Sequence, residues 1–197
     1  YSSAALESKY PLRPTIQSKL GVLMPPDLTD PRLVAARRYK QLFLGRIHPY
    51  KGVDTLVEAY AIARRASVSL ELSIVGRGPI GAKLLRRMRE LGVSIDNRYL
   101  SDAELMDVMA AHGVMILPYT SATQSGIGAI ALAHGMPCIA TSVGGLPEQV
   151  IHGSNGWIVP PRDPEALAEA MVSIAKDEGT ALRMAEESLR IGREFSS

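Results

Sequence analysis

Five short apolar runs recur along the chain, each followed by a loop rich in glycine or proline and then by a stretch of helical periodicity. They are Gln41–Gly45 (QLFLG), Leu70–Val75 (LELSIV), Val114–Leu117 (VMIL), Cys138–Thr141 (CIAT) and Gly156–Val159 (GWIV). A strand exposed on one face alternates apolar with polar, whereas these runs are nearly continuous and must be covered on both faces. Strands of that kind joined through helices form a parallel sheet, because a parallel crossover needs a dozen or more residues. The spacing therefore predicts an α/β class domain, a doubly wound parallel sheet of Rossmann-like type.

The intervening segments carry helix signals. Asp54–Arg65 places Leu56, Val57, Tyr60 and Ala61 on one face, and Ala82–Leu91 stops at Gly92, a helix-ending residue. Ser101 caps Asp102–Ala111, with Glu104 completing a capping box. A helix is expected over Ile127–His134, and Asp163-Pro164 opens another with a capping acid before a first-turn proline. A closing helix is expected from Thr180 to Arg190, and a weak strand over Arg98–Leu100. The first forty residues differ. Pro11, Pro14, Pro25, Pro26 and Pro31 interrupt every periodicity, which predicts an irregular arm or interdomain linker over 1–39 and one domain over 40–197. Within the arm, Ile16–Leu23 and Leu33–Ala36 are apolar enough to pack on that domain.

Composition closes off several function classes. Lys and Arg number 22 against 20 Asp and Glu, a formal charge of +2, and aromatics are 5% of the 197 residues. So mild a charge and so few stacking rings give no reason to expect a nucleic-acid partner. Basic residues cluster at Arg64–Arg65 and at Lys83, Arg86, Arg87 and Arg89, as solvated helix faces or as a contact for an anionic membrane surface. No run of eighteen apolar residues and no secretory signal pattern is found, so neither a membrane span nor export is expected. One cysteine, Cys138, makes an intramolecular disulfide impossible. The four histidines have no ligand spacing and no D-x-D pair occurs, so no metal is expected.

Parallel sheets bind ligands at the carboxyl ends of their strands, where helix N-termini point outward. After the first run comes Gly45-Arg46-Ile47-His48-Pro49-Tyr50-Lys51-Gly52. Two permanent cations before a helix start form a diphosphate clamp, aided by the free N–H groups there. The competing reading is that Arg46 and Lys51 pair with surface carboxylates. After the second run, Gly76-Arg77-Gly78-Pro79-Ile80-Gly81 matches G-x-G-x-x-G, with Asp96 twenty residues on, so a nicotinamide-dinucleotide oxidoreductase must be weighed. Against it, Pro79 lacks an N–H, Arg77 crowds the loop, and Asp96 precedes a weak strand where an acid should end one.

After Val114–Leu117, Pro118 to Gly128 offers hydroxyls and glycines before a helix but lacks a P-loop lysine, and Ser125 lacks the G-x-S-x-G of a hydrolase. After Cys138–Thr141, Gly144-Gly145 permits close approach to a ligand. Glu148 either complements a helix dipole or accepts a hydrogen bond from a sugar hydroxyl.

In series, FLGRIHPYKG, LSIVGRGP, YLSDAELMDVMAAHGVMILPY, SGIGAIALAHGMPCIATSVGGLPE and HGSNGWIVPPRDPEALAEAM resemble the carboxyl-terminal domain of a GT-B glycosyltransferase of family 4, the group 1 transferases. The resemblance covers residues 40–190 in order and spacing. It implies binding of a nucleotide-sugar donor and transfer with retention of configuration, without a metal. It places Arg46 and Lys51 on the donor diphosphate. Gly76, Gly78 and the Tyr99–Ser101 turn around Leu100 then lie near the nucleoside, and Gln124, Ser125, Gly126 and Ile127 near the phosphates and the transferred sugar. Donor base, sugar and acceptor stay open, with glycan or lipid-linked acceptors expected and a cytoplasmic location, peripheral at the inner membrane face.

Two departures follow. The family's paired glutamates fall at Ala122 and Ile130, neither of which accepts a hydrogen bond through its side chain, and Thr123-Gln124-Ser125-Gly126 is the candidate replacement. Only the donor half of a GT-B enzyme is present, so the amino-terminal acceptor domain is a missing partner and the chain alone should bind nucleotide but transfer little. Because Tyr1 is not an initiator methionine, a fragment is expected rather than a separate subunit. A non-catalytic nucleotide-sugar-binding module remains the alternative, and turnover by the full-length protein separates the two.

Overall fold

The computed structural model describes residues 30–66 and 69–194. Six strands form one parallel sheet: β1 Lys40–Leu44, β2 Glu71–Val75, β3 Ser94–Asp96, β4 Val114–Leu117, β5 Cys138–Thr141 and β6 Gly156–Val159. Their spatial order is β3-β2-β1-β4-β5-β6, the doubly wound order in which the chain reverses its direction of travel between β1 and β4. All four residues of β4 and of β5 are buried, as central parallel strands demand.

The helices are α1 Pro31–Ala36, α2 Val53–Ala63, α3 Ala82–Glu90, α4 Asp102–Ala110, α5 Gly126–Ala133, α6 Leu146–Gln149, α7 Pro164–Lys176 and α8 Glu178–Glu194. On one face α2 packs against α7 and α3; on the other α8 packs against both α1 and α5. Gln41, fully buried on β1, donates its amide N–H to the Met171 carbonyl at 2.9 Å and so ties α7 to the sheet. The capping box at Ser101–Glu104 and the Asp163 cap before Pro164 form as expected. Glu104, bonded to the Ser101 backbone and hydroxyl and to Arg98, is held at about 2.

Three expectations are corrected. The third strand is Ser94–Asp96, not Arg98–Leu100. Its ladder to β2 pairs Ser73 with Ser94 and Val75 with Asp96, and Arg98 instead bridges Asp96 at 3.0 Å and Glu104 at 2.6 Å. The closing helix spans Glu178–Glu194, longer than Thr180–Arg190, because Asp177 accepts from both the N–H and the hydroxyl of Thr180 and starts it earlier. The segment expected to be irregular through residue 39 is helical over Pro31–Ala36: the Asp30 carboxylate caps Arg32 N–H at 2.8 Å, and Val34 and Ala35 are buried. Pro11, Pro14, Pro25, Pro26 and the Ile16–Leu23 stretch lie outside the described residues.

Candidate anion site at the carboxyl ends of β1 and β4

Because β1 and β4 are neighbours, the loops that follow them meet. Thr120 N–H donates to the Tyr50 carbonyl at 2.8 Å, and a Cβ on Gly45 would lie 3.9 Å from the Ile127 side chain. The loop after β1 turns through a 3-10 segment, Pro49–Lys51, before α2 starts. Arg46 is exposed, and neither it nor Lys51 meets a carboxylate among the described residues, so the competing surface-pair reading does not hold there.

Lys51 is half-buried. Its Nζ sits 3.5 Å from the centroid of the Tyr119 ring and 5.2 Å from that of Tyr50. A cation on an aromatic face gains about 0.5–2 kcal/mol, more as water is excluded. Burial, and then repulsion from Arg46, lower the Lys51 pKa to about 8. An anion placed here would relieve that repulsion. Tyr119 is itself buried, its pKa pushed up to about 12 by desolvation, and its hydroxyl lies 3.2 Å from Ser125 Oγ.

Ser125 starts α5. Its hydroxyl accepts from Gly128 N–H at 3.1 Å, while the buried Gln149 amide bonds the Ser125 N–H at 3.2 Å and its carbonyl at 3.3 Å. The serine side chain is therefore spent on the helix cap rather than offered outward. The next two N–H groups, of Gly126 and Ile127, donate to nothing among the described residues. Free amides at a helix start attract an anion. Gln124 is exposed with no side-chain partner among the described residues, and its Cγ faces Gly145.

Ala122 and Ile130 are half-buried and pack on the apolar core, so neither position presents a polar side chain. The carboxylate beside this loop is that of Glu148, exposed in the first turn of α6; a Cβ on Gly145 would lie 3.7 Å from its Oε2. Gly144 and Gly145 serve a different end from the expected close approach to a ligand. A Cβ on Gly144, whose φ is +52°, would overlap the Ala122 carbonyl, and Gly145 N–H donates to the Thr123 carbonyl at 2.7 Å. The pair clamps the loop after β4.

The Gly76–Gly81 loop is likewise occupied. Gly78 exchanges two 3.0 Å hydrogen bonds with the Asn97 side chain, Gly76 N–H donates to the Asp96 carbonyl, and Arg77 accepts from Ile47 N–H. Asp96 does end a strand, where an acid on a ribose would stand, contrary to the expectation; yet the Gly76 and Gly78 amides of the loop are bonded already, and Pro79 has none to offer. At the rim, the Arg77 guanidinium lies 4.9 Å over the ring of Tyr99, which is 72% exposed, while Leu100 is half-buried. Gly76 and Gly78 thus pack against the backbone of the cationic loop, Leu100 packs on the core, and Arg46, Lys51, Gly126 and Ile127 offer donors without partners among the described residues. No group of metal-ligating side chains occurs among the described residues. Tyr119 and Gln149 were not singled out from the sequence; a large aromatic directly after a central strand was the available signal for the first.

Comparison with known proteins identifies the family. The family profile described as glycosyl transferases group 1 matches residues 38–177. A D-inositol 3-phosphate glycosyltransferase of Corynebacterium glutamicum (strain R) is 34% identical over 164 residues, covering 78% of this chain and 39% of that protein. The chain thus spans 39% of that relative's length. Among solved structures, Anabaena Alr3699/HepE in complex with UDP and glucose superposes with a TM-score of 0.71 at 22% identity, over 87% of this chain and 48% of that one. The C-terminal domain of a glycosyl transferase group 1 family protein (LpcC) from Francisella tularensis does so at 0.67 and 18%, over 79% of this chain and 85% of that one. With its parallel sheet as one Rossmann-like half of a GT-B fold, the chain belongs to the group 1 glycosyltransferase family.

Proposed function

We propose that this chain is the donor-binding half of a retaining glycosyltransferase, holding a nucleoside-diphosphate sugar across the loops after β1 and β4. The observation that carries the reading is the convergence of two cations without carboxylate partners and two undonated helix-start amides through the Lys51–Tyr119–Ser125 chain of contacts. Such a site neutralises the charge that builds on a departing diphosphate, and fixed donors do so without reorganising. Arg46 and Lys51 take that role and ask for no metal. Gln124 and Glu148 border the same loop and supply hydrogen-bonding groups for the transferred sugar in place of the positions filled by Ala122 and Ile130.

The acceptor is bound by an amino-terminal domain beyond this chain, so the chain alone binds nucleotide and transfers little. The Corynebacterium relative and the UDP complex of the Anabaena protein support a sugar-nucleotide donor. A cytoplasmic, peripheral location fits the exposed cations Lys83, Arg86, Arg87 and Arg89 of α3; no described helix is long and apolar enough to cross a membrane.

Calorimetric titration with UDP, GDP, ADP and NADH, with and without EDTA, tests this reading. One nucleoside diphosphate should bind saturably, indifferent to EDTA, with affinity lost in Arg46→Ala. Binding of NADH alone would overturn it. The apolar residues at 122 and 130 favour a second reading, a nucleotide-sugar-binding module without turnover. Donor hydrolysis or transfer by the full-length protein rejects that second reading, and a full-length protein that binds donor without turnover supports it.

A further inference from the structure

We infer that Tyr119 is a positioning residue of the anion site, its ring, held in place by packing beside the start of α5, presenting a face that seats the Lys51 ammonium. The inference rests on the donor-binding reading above. Lys51 lies on the loop after β1, and Ser125 caps the helix after β4; these pieces are 74 positions apart in the chain. Tyr119 touches both. Its ring centroid is 3.5 Å from Lys51 Nζ and its hydroxyl 3.2 Å from Ser125 Oγ. The ring is buried to 1% exposure, so its plane is set by packing and cannot follow a moving lysine.

A lysine stem is otherwise free to rotate about four bonds, and ordering it on an anion costs entropy. No carboxylate orders it here among the described residues, and one would be counterproductive, since a bound anion would have to displace it. An aromatic face holds the ammonium without consuming its three N–H donors in strong bonds. The cation is thus oriented before the ligand arrives, with its donors available.

The inference is tested on the 197-residue chain with whichever of UDP, GDP and ADP binds it, using Tyr119→Phe, Tyr119→Met, Lys51→Ala and the Lys51→Ala/Tyr119→Met double variant. In the free protein, the εCH2 protons of 13C-labelled Lys51 should be shifted upfield by the ring in wild type and Tyr119→Phe, and not in Tyr119→Met. Affinity should be retained in Tyr119→Phe and fall roughly tenfold in Tyr119→Met. In the Lys51→Ala background, Tyr119→Met should cost nothing further. Should methionine disturb folding, Tyr119→Leu serves as the second ring-less variant.

An unshifted Lys51 in wild type overturns the inference whatever binds. So does full affinity in Tyr119→Met, or a loss that persists in the Lys51→Ala background. If the shift is present yet wild type binds none of the three nucleotides, the donor-binding reading fails, and the positioning role with it.

Discussion

The backbone of Gly78 lies directly against the carbonyl of Ile47, where a Cβ would overlap the oxygen. The loops after β2 and β1 are therefore packed main chain to main chain, and the cationic loop rests on the glycine loop. Gly78→Ala should lower stability by about 2 kcal/mol, since a buried backbone cannot yield as a side chain does. Gly144→Ala, which adds strain at positive φ to the same kind of clash, should cost at least as much. Gly81→Ala, with open space around it and φ of −63°, should stay within about 0.5 kcal/mol of wild type. Urea denaturation of the three variants checks the order.

Proton linkage at Lys51 should be visible in both folding and binding. Its folded value of about 8 lies below the ordinary 10.5. Between those values the unfolded chain holds a proton that the folded chain has released, so this group makes stability rise with pH across that window. Binding runs the opposite way. A diphosphate favours the ammonium, so affinity should be full below pH 8 and decline as pH rises through it, with proton uptake on binding near about pH 8.5. Tyr119, at about 12, stays neutral throughout. Calorimetry in two buffers of different ionisation enthalpy measures the uptake, which Lys51→Met should abolish.

Removing the Gln149 amide leaves the buried N–H of Ser125 without a partner and its carbonyl with the Ala129 N–H alone. Gln149→Leu should therefore cost about 1–3 kcal/mol and speed hydrogen exchange at the Gly126 and Ile127 amides. Ser125→Ala removes only the cap on Gly128 and the Tyr119 contact, and should cost about 1 kcal/mol. Thermal melting ranks the two, and the larger loss belongs to Gln149.

Complete burial pushes the Cys138 thiol up to about 12, so the thiolate is scarce at neutral pH. A chromogenic disulfide reagent should leave the native protein unlabelled for hours and modify one thiol promptly in denaturant. Fast labelling of the native chain would contradict the burial.

Much of this architecture was legible because continuous apolar runs admit few other folds. β4 and β5 lie where VMIL and CIAT predict them, and the Asp163-Pro164 cap is where its two residues place it. β3 was hidden because it is a three-residue edge strand of which no residue is fully buried, while the neighbouring Tyr99-Leu100 offered stronger β-propensity in a loop. The Asp30-Pro31 start of α1 carries the same signal as Asp163-Pro164, yet it sits among prolines that read as a linker. Arg46 and Lys51 stood out because a strand, a short loop and a helix start bracket them. Their seat did not, since the contact from Lys51 to Tyr119 spans 68 positions and depends on β1 lying beside β4. The G-x-G match is ambiguous for a related reason: Gly76 and Gly78 answer to the backbone of Gly45 and Ile47, a demand that looks the same in sequence as a ligand's.

The strand order has a consequence for how the protein comes into being. Since β1 pairs with β4 across three complete crossovers, a chain still emerging during synthesis holds Arg46 and Lys51 long before Tyr119, Ser125 or the α5 amides exist to meet them. No partly made chain can own the site. Nucleotide capture would then serve as a gauge of completed folding, silent for every truncated product that ends before α5.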